Sequence, residues 1–120
     1  MTTSNKPSKI VVASVEWSID WEAKLKSGTL GLCDAASYLI KISAAIEGED
    51  ARRSTFLHEI IHSIYFTYGF RPSQKDAHDH EEEVVAFLSS ALFDTMIKNP
   101  DVAAYLFPPQ KNVRKTNGGN

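Results

Sequence analysis

The stretch LHEIIHS, residues 57–63, sets two histidines four positions apart with a glutamate directly after the first. On an α-helix, positions four apart share a face and lie about 6 Å apart along the axis, so His58 and His62 can point at a common atom. Zinc accepts imidazole nitrogen at roughly 2.0–2.1 Å, and a catalytic site takes three protein ligands with a fourth position left for water. The two histidines supply two of the three. Glu59 projects about 100° around the axis from His58. That leaves it outside the coordination sphere yet near enough to take a proton from zinc-bound water, which is the place of a general base. The competing reading is an amphipathic core helix in which Leu57, Ile60, Ile61, Ile64 and Tyr65 pack while the histidines are hydrogen-bonded at its edge. The apolar neighbours favour a site, because they give the low-dielectric wall and fixed rotamers that a metal ligand needs.

A third ligand must come from elsewhere. In the pattern H-E-x-x-H-x-x-G-x-x-H of metzincins it follows on the same stretch, but here Tyr65 stands where the glycine would be and Tyr68 where the histidine would be. The remaining donors lie in HDHEEE, comprising His78, His80, Glu81, Glu82 and Glu83. Reading Val84, Val85, Leu88, Ala91, Leu92 and Thr95 as one apolar stripe centres Glu81 on the core face. Glu82 then falls at the stripe's edge, beside small side chains that leave space for a metal. Glu83 reads as part of a solvated acidic helix start, favoured by the helix dipole. His78 and His80 read as exposed loop histidines. Periodicity alone leaves Glu81 and Glu82 both open.

The rest of the chain predicts an α+β domain. KIVVASVEW, residues 9–17, is rich in β-branched side chains and reads as one strand, whereas SIDWEAKLKSG fits a short helix or a strand equally well. Extended runs at 29–33 and 37–43 predict a hairpin. Gly48 and Asp50 then open a helix over 51–68, closed by Gly69, and a second helix over 80–98 ends at Asn99 and Pro100. The expected architecture is a short antiparallel sheet packed on the HEIIH helix and on a second helix that carries the third ligand. Residues 1–8 and 109–120 lack apolar periodicity and are expected to be a disordered N-terminus and a flexible tail, leaving 9–108 as a single domain.

Composition narrows the function classes. A net charge of −2 offers no basic surface for nucleic acid or anionic membrane. No apolar run approaches the 18 or so residues that span a bilayer. One cysteine, Cys33, and a polar N-terminus point to the cytoplasm.

With nineteen residues between His62 and Glu82, the chain has the H-E-x-x-H-x19-E spacing of thermolysin-like gluzincins. STFLHEIIHSIYFTYGF followed by EEEVVAFLSSALFDTMIKNP also resembles compact phage and bacterial peptidases of the ImmA/IrrE kind, over roughly Val11 to Leu106. The resemblance implies a Zn2+ site held by His58, His62 and Glu82, with Glu59 as base and Glu81 as the competing ligand. It departs from that family where Val85 and Ala86 occupy the last two places of the E-x-x-A-N signature. The implied activity is zinc-dependent peptide-bond hydrolysis of a protein or peptide substrate, with the predicted edge strand near Leu30 to Cys33 aligning an extended peptide. The alternative is a non-catalytic zinc-binding regulatory module, its fourth position closed by His78 or His80. The presence of Glu59 argues against it, since a structural site needs no base.

Overall fold

The computed structural model describes residues 6–71 and 77–109, with side chains from residue 80 onward in the second stretch. The expectations for residues 1–5, for the 110–120 tail and for the His78 side chain lie outside the described residues. The chain forms strands β1 (Lys9–Val12), β2 (Val15–Ala23), β3 (Gly31–Asp34) and β4 (Leu39–Ser43). Helices α1 (Glu49–Tyr68), α2 (Ala77–Lys98) and α3 (Pro100–Leu106) follow.

The α+β class expected from the sequence is the class observed. Residues 9–17 are not one strand, however. The chain reverses at Ala13, whose φ is 58°, and β1 pairs antiparallel with β2, Val12 lying opposite Val15. Ser14 is the one turn-favouring residue here, with no glycine, proline, asparagine or aspartate beside it, so the local composition marks the turn weakly. The ambiguous segment after it continues as β2. The chain then crosses to the far edge, lays down β3 and turns back through β4, giving the order β1-β2-β4-β3. The β3–β4 hairpin is antiparallel as predicted. Its return strand runs parallel to β2, so the sheet is mixed rather than wholly antiparallel.

One face of the sheet presents Ile10, Val12, Trp17, Ile19, Ile40 and Ile42, all buried, through the two-residue alternation of side chains along a strand. Against it α1 buries Phe56, Glu59, Ile60, Ser63 and Ile64, a stripe at the helical period that holds one carboxylate among apolar neighbours. Trp17 locks the two layers: its indole N–H donates to Thr67 Oγ1 at 3.0 Å, and its ring meets Tyr38 and Phe66 edge-on. At the end of α1, Gly69 takes the left-handed conformation at φ 66°. Its N–H there reaches the Tyr65 carbonyl at 3.0 Å, the role the sequence assigns it. At the other end the capping position is Gly48 rather than Asp50, and Glu49 and Asp50 fall in the first turn.

Helix α2 begins at Ala77, three residues before its predicted start, and its inward face is rotated from the expected stripe. Val85 is 54% exposed, while Ala91 and Thr95 are buried and Phe87 packs on the core. The cause is an aromatic cluster: Phe87 stacks on Phe70 with centroids 4.1 Å apart and meets Tyr65 and Tyr68 edge-on. This contact joins α2 to a residue seventeen positions earlier in the chain, so the periodicity of α2 alone does not reveal it. Helix α3 completes the core with Val102, Tyr105 and Leu106. Among the described residues no helix is long and apolar enough to cross a membrane.

Candidate metal and active site

The α1 stripe that fills the core sets the directions of the site residues. Phe56, Ile60 and Ile64 point into the sheet, Glu59 lies at the margin of that face, and the residues between turn outward. His58 and His62 emerge together, exposed, their rings 4.9 Å apart between centroids and 68° between planes. Glu59 is only 6% exposed. Burial pushes its carboxyl above the ordinary carboxylate range, and positive charge on His58 and His62 would pull it partly back.

Strand β3 forms the facing wall. Two cavities, of about 460 and about 420 Å³, flank the edge of this strand, and both are lined by Gly31, His58 and Glu59. The first continues past Ser54 and Thr55, and the second past Cys33, His62 and Phe66. Together they form a groove along an open sheet edge, with the carboxyl of Glu59 at its midpoint. Cys33 sits in the same groove, its thiol pushed up to about 11 by burial and then by the neighbouring Glu59 and Asp34 carboxylates.

The structure therefore brings together three of the four site residues the sequence nominates. Glu82 stands exposed near the start of α2, as does its competitor Glu81, while Glu83 is half-buried. Glu83 does not belong to a wholly solvated helix start: it lies four residues before Phe87 and eight before Ala91, on the inward line of α2. Among the described residues no three His, Cys, Asp or Glu side chains are gathered closely enough to hold one ion. The donor chemistry of the paired imidazoles with a carboxyl alongside suits zinc. Gly31 was not nominated from sequence, although a glycine inside a predicted strand signals close approach of another group.

A family model, SprT-like, matches residues 3–89, which span the whole sheet, α1 and the first half of α2. The chain belongs to the SprT-like family. The domain of this family is zinc metallopeptidase-like, in keeping with the HEIIH helix set against an edge strand. Neither curated proteins nor solved structures give a match to this SprT-like chain.

Proposed function

We propose that this SprT-like protein is a zinc-dependent peptidase that hydrolyses an extended segment of a protein or peptide. The observation that carries the reading is the placement of Glu59, buried between two outward-facing histidines and the edge of β3. His58 and His62 would hold the metal, with the third donor drawn from the acidic opening of α2. Spacing and the ImmA/IrrE-like pattern support Glu82, and the inward turn of α2 makes Glu83 its competitor. Bound zinc would supply Lewis acidity toward the scissile carbonyl. Glu59 accepts a proton from the attacking water and delivers it to the leaving amine nitrogen. Its burial suits this shuttle, since a carboxyl with raised proton affinity can both take and return the proton. The open edge of β3 aligns the substrate backbone by strand addition, which demands little of the substrate's sequence. The single cysteine and the net charge of −2 fit action on protein in the cytoplasm.

The test couples metal content to cleavage. Wild-type protein is expected to bind about one zinc per chain and cleave unfolded protein, in line with a single site of three ligands. Glu59→Gln should keep the metal and lose cleavage, and His62→Ala should lose both. Comparing Glu82→Ala with Glu83→Ala assigns the third donor. Cleavage surviving in Glu59→Gln would defeat the mechanism, and zinc bound without cleavage in wild type would leave a regulatory module.

A further inference from the structure

We propose that Gly31 is a positioning residue, kept free of a side chain so that the Glu59 carboxyl can sit directly beneath the main chain that receives the substrate; this rests on the peptidase reading above. Gly28, Gly48 and Gly69 have φ values of 89°, 97° and 66°, and a methyl group added to any of them would meet nothing within 4 Å. Those three serve turns. Gly31 is the reverse case. Its backbone lies outside the left-handed region, inside a regular strand, so its conformation is open to any residue. A Cβ there would lie 2.8 Å from Glu59 Oε2, 2.8 Å from Thr55 Cγ2 and 3.0 Å from Glu59 Cγ. A glycine within a strand is unfavourable unless another group must come close, and the group that comes close is the base.

The register of the hairpin adds the second half of the inference. Ser43 N–H donates to the Leu30 carbonyl at 2.8 Å, and Leu32 lies opposite Lys41. In an antiparallel ladder, residues whose N–H and C=O point to the partner strand alternate with residues whose groups point away. Leu30 and Leu32 face β4, so Gly31 and Cys33 direct their N–H and C=O to the open edge, where β3 has no neighbouring strand among the described residues. A peptide added at that edge would bond to Gly31 directly above the Glu59 carboxyl. One residue thus sets the distance between the substrate backbone and the base.

Of the atoms a new methyl group would strike, Glu59 Oε2 ends a flexible side chain, whereas Thr55 Cγ2 and Glu59 Cγ lie close to the α1 backbone and give way less easily. Gly31→Ala is therefore expected to fold with a Tm lowered by about 5–10 °C, and to keep its zinc while the carboxyl is displaced. A displacement of about 1 Å can lower the rate about 100-fold, so kcat should fall by that order with KM little changed. Shortening the obstructing neighbour should restore part of the loss: Gly31→Ala/Thr55→Ser is expected to exceed Gly31→Ala in kcat, with Thr55→Ser alone as the reference. The carboxyl 13C resonance of Glu59, assigned by its loss in Glu59→Gln, should move in Gly31→Ala and move back towards wild type in the double variant. Wild-type kcat and an unmoved Glu59 resonance in Gly31→Ala would overturn the proposal. So would a loss of activity that follows lost folding or lost zinc. If wild-type protein cleaves nothing, the peptidase reading falls, and the resonance still decides whether Gly31 holds the carboxyl in place.

Discussion

The thiol of Cys33 lines the groove beside Glu59 and His62, where burial, the Glu59 carboxylate and the Asp34 carboxylate all oppose the thiolate. Its ionisation rises from 9.0 to about 11, so the folded state binds this proton more tightly than the unfolded state. The resulting contribution to stability is complete below pH 9.0 and is lost as the pH climbs towards 11. Since the thiolate is the nucleophile, iodoacetamide labelling of the metal-free folded protein near pH 9 should be slow and should accelerate when urea unfolds the chain. Equal rates in the two states would show a solvated thiol. At this scale His58, Glu59 and His62 were legible because their relationship is encoded in adjacent letters and needs only a helix to be realised. Gly31 was not, because its reason for being glycine lies across the sheet–helix interface, far along the chain.

Among the elements, the corner between α2 and α3 rests on one side chain. Asn99 is 5% exposed. Its Oδ1 accepts from the Val11 N–H at 2.8 Å, and its Nδ2 donates to the Val11 carbonyl at 2.7 Å and the Thr95 carbonyl at 2.8 Å. The residue thus extends the outer edge of β1 as one more backbone unit would, and ties the end of α2 to the sheet. Asn99→Ala leaves the Val11 donor and acceptor without these partners, at about 1–3 kcal/mol for each group that stays dry. Urea denaturation should therefore show a loss of about 2–4 kcal/mol. A change below about 0.5 kcal/mol, the usual size for a neutral surface position, would mean that water replaces the amide. From the sequence, Asn99 and Pro100 read as the end of α2, which they are, while their link to β1 is invisible there. The hairpin of β3 and β4 and the long helix α1 were legible because glycines and period mark them. The turn at Ala13 and the phase of α2 were not, one marked by Ser14 alone and the other being set by an aromatic contact with Phe70.

Two connections hold the molecule's layers in the arrangement the site requires. The first fastens α3 to α1: the Tyr105 hydroxyl donates to Glu49, Arg52 pairs with the same carboxylate, and Arg53 Nε donates to the Tyr105 carbonyl at 2.7 Å. Burial raises the Glu49 carboxyl, but the Tyr105 hydroxyl, Arg52 and Arg53 outweigh it and hold the group below its ordinary value of 4.5. A depressed folded value means stability that is present above pH 4.5 and lost as the pH falls through the folded value. Thermal melts of Glu49→Gln should accordingly lose less Tm on acidification than wild type, and parallel curves would contradict the assignment. The second connection is Phe87, whose contacts with Phe70, Tyr65 and Tyr68 join α2 to α1. Tyr65 follows His62 by one helical turn, and the acidic run precedes Phe87 by one to two turns, so on the zinc-site reading proposed above the Phe87 cluster would govern how near α2 brings a third donor to the histidines. Phe87→Ala should leave the sheet and α1 folded, since Trp17, Phe56 and Ile60 are fully buried while Phe87 packs at the core's margin, and on the proposed reading it should weaken zinc binding. Loss of a group that positions a metal ligand lowers affinity about 10–100-fold, and chelator competition would resolve a change of that order. Phe93→Ala, at a position 68% exposed, is the matched deletion on the outer face of the same helix and should bind zinc as wild type does. If Phe87→Ala also binds zinc as tightly as wild type, the third donor does not come from α2.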